Sequence, residues 1–204
     1  MMKVKICGIT DEKTALYAAQ MGADAIGFVF APSKRRIELS SAKKIIQRLP
    51  ANVEKVGVFV NETARTMANI ANECGLTMIQ LHGEESEDIY KDVAFPIIKA
   101  VGIDSEQDVN GAERLSLEYV LVDSPKGNKY HGGNGTSFDW HIVKGRFQDK
   151  KLILAGGLHS SNVQEAIRIT RPFMVDVSSG VETNGVKDFD KIRSFIQAAK
   201  GAMK

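Results

Sequence analysis

Lys5-Ile6-Cys7-Gly8-Ile9-Thr10 marks where the first apolar run of the chain stops and turn chemistry begins. A short β-branched run, a polar turn and a segment of helical spacing succeed one another here, and that order repeats along the chain. Such runs recur at 4–6, 25–30, 55–60, 78–81, 97–101, 119–122, 152–154 and 174–177. Most are continuously apolar, as expected of parallel strands covered on both faces. Between them, Met67, Ile70, Ala71 and Cys74 fall on one helical face, as do Ile192, Phe195, Ile196 and Ala199. Ser161 with Gln164 forms a capping-box pattern ahead of Val163, Ala166 and Ile167. Gly22 and Gly75 stand where helices should stop, and Pro50 follows another helix end. The segments after Val101 and Asp123 are the least regular, and Trp140 opens a short helix. Eight strands alternating with helices, with no linker, predict an α/β protein: one (β/α)8 TIM-barrel domain over residues 1–204, in preference to an open doubly wound sheet.

The 204 residues stand near the short limit of that fold, roughly 200 residues, so most loops must be short. Two longer ones, 31–40 and 124–137, should therefore matter. A chain 43% hydrophobic and 25% charged can bury one substantial core. Its net charge of +2 gives no reason to expect nucleic acid or an anionic membrane as partner. The two cysteines are far apart and lack metal-ligand spacing. The N-terminus carries no apolar signal core, and no run approaches the roughly 18 residues of a membrane span, so a cytoplasmic location is expected. In that compartment the glycosylation patterns at Asn61 and Asn134 are accidental.

In a (β/α)8 barrel, chemistry gathers at the ends of the strands. Those ends carry Cys7, Arg35 in the following loop, Asn61, His82, Asp123, Gly156-Gly157 and Ser178-Ser179-Gly180. The glycine and serine loops after strands seven and eight are the clearest binding signal. Glycines admit a ligand close to the backbone, and successive amides with hydroxyls suit a phosphate. Two ordinary tight turns are the alternative. Gly132-Gly133-Asn134-Gly135 lacks the Gly-Lys-Ser/Thr ending of a nucleotide loop and reads as a lid over the site.

Cys7 is either a small buried hydrophobe or a general base. A base requires the thiolate, so its pKa must fall from about 8.5. Lys5 gives no help if it points away from Cys7, whereas nearby amides or an arginine would. Cys74 lies on the apolar face of its helix and reads as core. Asp123 ends the apolar run Tyr119-Val120-Leu121-Val122, where it either caps a turn or, partly desolvated, acts as a general acid. Lys34-Arg35-Arg36 is either a solvated cluster or an arginine fork for a carboxylate. His82 fits a satisfied polar residue at a strand end, and the other histidines have no partners at ligand spacing, so no metal site is expected.

Taken together these residues resemble the phosphoribosylanthranilate isomerases, the Amadori isomerases of tryptophan biosynthesis. The resemblance runs nearly the full chain: Lys5–Thr10, Gly27-Phe28-Val29-Phe30, Val56-Gly57-Val58-Phe59-Val60-Asn61, Gln80-Leu81-His82-Gly83, Leu121-Val122-Asp123, Phe138-Asp139-Trp140, Ala155-Gly156-Gly157-Leu158 and Val175-Asp176-Val177-Ser178-Ser179-Gly180-Val181-Glu182. It implies Cys7 as general base, Asp123 as general acid and Arg35 as the holder of the anthranilate carboxylate. Gly156, Gly157, Ser178, Ser179 and Gly180 would bind the phosphate, and His82 is counted with the substrate-binding residues. Arg36 stands where the family carries an aromatic residue, so it is the alternative to Arg35. Asp176 would orient the site without being catalytic.

The substrate implied is a phosphorylated aminosugar, converted by acid–base chemistry without a cofactor or metal, in a monomer or homodimer. Three rivals are weighed. The related isomerase of histidine biosynthesis carries an aspartate where Cys7 stands. A metal-dependent sugar-phosphate epimerase would need paired histidine ligands. A non-catalytic phosphosugar-binding barrel would have lost the base or the acid.

Overall fold

A computed structural model describes residues 1–125 and 138–202. Eight parallel strands close on themselves in sequence order: β1 (Lys3–Cys7), β2 (Ala25–Val29), β3 (Glu54–Phe59), β4 (Met78–Leu81), β5 (Ile97–Gly102), β6 (Tyr119–Asp123), β7 (Lys151–Leu154) and β8 (Met174–Val177). The closure joins β1 to β8, with Lys5 in register opposite Asp176. Every strand expected from the sequence is present, with ends shifted by about one residue.

Strand alternation sorts the side chains into two apolar cores. Outward-facing residues such as Val4, Ile6, Ile26, Phe28, Val120 and Val175 pack against the helices. A smaller set, including Ala25, Val56, Met78, Leu121, Ile153 and Met174, fills the barrel interior. Above this inner layer the interior turns polar, with Lys5, Gln80, Asp123 and Asp176 all buried. That change of polarity along the barrel axis positions the site.

The helices are α1 (Glu12–Gln20), α2 (Leu39–Ile46), α3 (Ala64–Cys74), α4 (Asp88–Asp92), α5 (Glu106–Arg114), α6 (Val163–Thr170) and α7 (Phe189–Gly201). Gly75 ends α3 in the left-handed conformation, and Met67, Ala71 and Cys74 form its buried face, as the spacing implied. Two local expectations are corrected. The segment after Val101 is regular: α5 begins with a capping box in which Asp108 accepts from the Ser105 amide. The box expected at Ser161 and Gln164 does not form, because α6 starts one residue later at the Asn162 cap while the Ser161 hydroxyl pairs with His159. The short helix expected at Trp140 is present as a 3-10 turn, Trp140–Val143. Among the described residues no helix is long and apolar enough to cross a membrane.

The loop at 31–40 is short of slack because it is bridged back onto β2. Arg36 forms a bridge with Val29, and the Ile37 amide donates to the Val29 carbonyl. Of the other long loop, 124–137, residues 126–137, with the Gly132–Gly135 stretch expected as a lid and His131, lie outside the described residues.

Candidate active site

The polar upper layer of the barrel opens into a cleft lined by Asp123, Gly156, Gly157, Asp176 and Ser178–Gly180. Gly156 and Gly157 have φ of 84° and 60°, a left-handed pair that turns the chain over the end of β7. At Gly180 a Cβ would lie 1.8 Å from the Leu158 carbonyl oxygen, so only glycine lets the two loops meet. Asn162, the α6 cap, donates to the Gly157 carbonyl at 2.9 Å and moors this loop to the helix. Backbone, with few side chains, therefore faces the cleft at this end. Ser178 is less available than expected, since its hydroxyl donates to the Cys7 carbonyl at 3.1 Å.

Asp123 closes the cleft from β6. Its Oδ1 accepts the Ser124 amide at 2.8 Å, and its Oδ2 lies 3.7 Å from His82 Nε2. His82 in turn is tied through Nδ1 to the Gln80 amide nitrogen at 2.9 Å. Burial is the main cause that pushes the Asp123 carboxyl up to about 6, with the Asp176 charge adding and the Ser124 amide and Lys5 opposing. Asp123 thus holds its proton into the range where a general acid works.

Cys7 is buried at the end of β1. Burial also raises this thiol, while Lys5 and Lys187 pull it down and Asp176 pushes it up. The expectation for Lys5 fails here. Lys5 and Cys7 are two residues apart on one strand, so they face the same side, and Lys5 lies wholly buried inside the barrel. Its ammonium donates to Asp176 Oδ1 at 3.0 Å. Burial disfavours that charge, yet Asp176 and Cys7 outweigh it and raise the Lys5 pKa.

Arg35 and Arg36 part company. The β-bridge at Arg36 leaves its side chain exposed near Glu38, whereas Arg35 folds inward against Gly8. Arg35 makes a fork to Glu182, with Nε at 2.6 Å and a terminal nitrogen at 2.8 Å. Lys187 completes the cluster, donating to Glu182 at 2.8 Å and to the Ser178 carbonyl at 2.9 Å. Burial works against ionised Glu182, but hydrogen bonds from Arg35 and Lys187 prevail and hold it down at about 2. Desolvation lowers Lys187 against the pull of Glu182. One edge of the Arg35 guanidinium is therefore committed, and its remaining N–H groups are the ones a ligand carboxylate can meet.

Asn61 serves the scaffold: its side chain accepts the Glu84 amide, and its own amide donates to Glu85. Glu85 is paired with Lys99 at 2.6 Å, and burial of the carboxylate is outweighed by that bond together with backbone amide donors, Asn61 first, so its pKa falls. The structure brings Cys7, Asp123, Arg35, His82 and both glycine–serine loops to one mouth of the barrel. Sequence reasoning missed Lys5, Gln80, Glu182 and Lys187 as neighbours of the site. Strand alternation alone could have found the first two: Lys5 shares parity with Cys7, and Gln80 with His82.

Comparison with known proteins gives a consistent picture. The family model described as N-(5'-phosphoribosyl)anthranilate (PRA) isomerase matches residues 4–198. A curated relative from Bacillus cereus (strain B4264), N-(5'-phosphoribosyl)anthranilate isomerase, is 55% identical over 205 residues, covering 100% of both chains. The crystal structure of phosphoribosyl anthranilate isomerase from Thermotoga maritima superposes with a TM-score of 0.91 at 44% identity, covering 98% of this chain and 100% of that one. A structure of such an enzyme in complex with reduced 1-(o-carboxyphenylamino)-1-deoxyribulose 5-phosphate gives 0.87 at 43% identity, with the same coverage.

Proposed function

We propose a division of chemical labour for this chain, which belongs to the N-(5'-phosphoribosyl)anthranilate isomerase family. Its activity is that isomerisation, the Amadori step of tryptophan biosynthesis: an aminoaldose phosphate becomes 1-(2-carboxyphenylamino)-1-deoxyribulose 5-phosphate. Family membership over residues 4–198 sets aside the histidine-pathway isomerase and the non-catalytic barrel.

The assignment of residues to steps is our reading. Protonated Asp123 gives its proton to the furanose ring oxygen as the carbon–oxygen bond breaks, and the anthranilate nitrogen lone pair forms the iminium. The Cys7 thiolate then takes the proton from the adjacent sugar carbon, and the electrons of that C–H bond neutralise the iminium to an enolamine. Tautomerisation to the ketone completes the isomerisation, so substrate and product have the same composition. The iminium is its own electron sink. The cycle leaves Cys7 protonated and Asp123 ionised, and a proton must return from one to the other before the next turnover.

Positioning supplies the rest. Gly156, Gly157, Ser179 and Gly180 hold the phosphate through the backbone at one end, with Ser178 bracing Cys7. Arg35 holds the anthranilate carboxylate with the edge that Glu182 leaves open. His82, beside Asp123, contacts the opened sugar. We place the enzyme in the cytosol with a small-molecule partner, as a monomer or homodimer; a dimeric phosphoribosylanthranilate isomerase is described from Thermotoga maritima.

The observation that carries the reading is that Cys7 and Asp123 are both buried at strand ends of one barrel mouth, with the Lys5–Asp176 pair linking the strand of Cys7 to the cleft that Asp123 lines. A fluorescence assay of anthranilate-substrate consumption tests it. Cys7→Ala and Asp123→Asn should each lower turnover by about 10²–10⁴-fold in a folded protein. Near-parental turnover in either variant would remove that residue from the mechanism.

A further inference from the structure

We propose that Lys5, clamped inside the barrel by Asp176, is a positioning residue that supports the Cys7 thiolate, and that Asp176 meters how much of this support the thiol receives. The inference rests on the reading of Cys7 as the base. Four features carry it. Lys5 and Cys7 project from the same face of β1 into the same interior. Lys5 is fully buried, in a layer whose floor is otherwise apolar, where an isolated ammonium is costly. The β1–β8 register places Asp176 directly opposite, so the ammonium is anchored at 3.0 Å to one carboxylate oxygen. Finally, Gly27 of β2 makes room for both groups: a Cβ there would lie 2.7 Å from Cys7 Sγ and 3.2 Å from Lys5 Cε. The thiol and the lysine tip therefore share one pocket created by a missing side chain.

Four charged groups face Cys7: Lys5 from β1, Asp176 from β8, Lys187 beyond β8 and Arg35 from the loop after β2. Two of the three cations are committed elsewhere. Arg35 is forked to Glu182, and Lys187 is shared among Glu182 and both oxygens of Ser178. Lys5 has Asp176 as its one carboxylate partner among the described residues, and it is the leading group that favours the thiolate against burial. It keeps its proton throughout. Its role is to stabilise the anion that accepts the carbon-bound proton, and to release that stabilisation once the thiol is neutral.

The test uses the full chain in a Cys74→Ala background, so that iodoacetamide reports Cys7 alone. Alkylation rate is followed against pH, with kcat and KM measured in parallel. Lys5→Met should raise the alkylation midpoint by about one pH unit or more and lower kcat about tenfold with KM near parental, while Lys5→Arg restores part of both. Asp176→Asn should move the midpoint the opposite way, downward, because the ammonium then has the thiolate as its counter-ion. A purely structural pair would not give shifts of opposite sign. If Lys5→Met does not fold, Asp176→Asn carries the test. An unchanged midpoint in folded Lys5→Met, or an upward shift in Asp176→Asn, overturns the proposal. Substantial turnover by Cys7→Ala would instead sink the base assignment while leaving the midpoint shifts intact.

Discussion

The β1 corner and the β6 corner of the barrel mouth hold two buried acids, and the same force acts on both with opposite chemical results. Burial raises the Asp123 carboxyl to about 6, which keeps it closer to the protonated form it needs as an acid. Burial also raises the Cys7 thiol, which drives it away from the thiolate it needs as a base. The β6 corner therefore requires little beyond dryness, which prevails over the opposing amide of Ser124. The β1 corner requires cations, and Lys5, Lys187 and Arg35 gather there. An acid can be made by removing water; a base of this kind must be built with charge.

The sharpest way to break this contrast is Cys7→Ser. A hydroxyl ionises far less readily than a thiol, so the cations that suffice for sulfur should not rescue it, and turnover should fall about 10³-fold or more, as far as in Cys7→Ala. Activity within tenfold of the parent would mean that the β1 corner does not work through an anion. The pH profile tests both corners together. Because the acid titrates at about 6 and burial lifts the base above the ordinary thiol range, the productive form, thiolate with carboxylic acid, is a minor species between those limits. Below about 6 both groups are protonated and no base exists; above the thiol pKa both are ionised and no acid exists. The measured kcat/KM should be a broad bell with an acid limb near 6 and an alkaline limb above the ordinary thiol range. Limbs on the Asp123 side that survive Asp123→Asn unchanged would contradict the assignment.

A third prediction concerns stability. A carboxyl raised from 3.8 to about 6 destabilises the fold once ionised, so the cost is absent below pH 3.8 and complete above about 6. Asp123→Asn should then be more stable than the parent at pH 8, by about 1–3 kcal/mol in chemical denaturation. A less stable variant would show that the Ser124 and His82 contacts outweigh desolvation. Arg35→Ala should act mostly on KM, raising it about tenfold, with Arg36→Ala nearly silent. A larger loss in Arg36→Ala would transfer the carboxylate to the exposed arginine. The smallest effect is expected on the acid side. Glu182, held at about 2 against 4.5 when free, supports the fold fully above 4.5 and loses that support as pH falls towards 2. Glu182→Gln should therefore flatten acid denaturation in that window, read by circular dichroism.

Much of the fold was legible because parallel strands buried on both faces write themselves as apolar runs, and Tyr119-Val120-Leu121-Val122 can hardly be read otherwise. Helix starts were less so. Ser161 and Gln164 have the capping-box spacing, but α6 starts at Asn162, whose side chain is tied back to the His159 amide and the Gly157 carbonyl, and the Ser161 hydroxyl pairs with His159. The site residues at strand ends were readable from position alone. Two of their electrostatic neighbours were not, since Glu182 and Lys187 reach the mouth through a small hairpin, Glu182–Thr183 with Val186–Lys187, that follows β8. Arg35 and Arg36 are adjacent in sequence, and only the bridge of Arg36 to Val29 separates them.

The Lys5–Asp176 bond spans 171 positions, from the first strand to the last. Until β8 docks, Lys5 stands at an open sheet edge with water available to it, and the thiol beside it has no reason to be unusual. Closing so long a loop is among the slowest contacts a chain of this topology makes. The setting of Cys7 is therefore a late product of folding: the final strand buries the thiol and brings Asp176 beside it, both of which raise its pKa, and it fixes the Lys5 ammonium that opposes them.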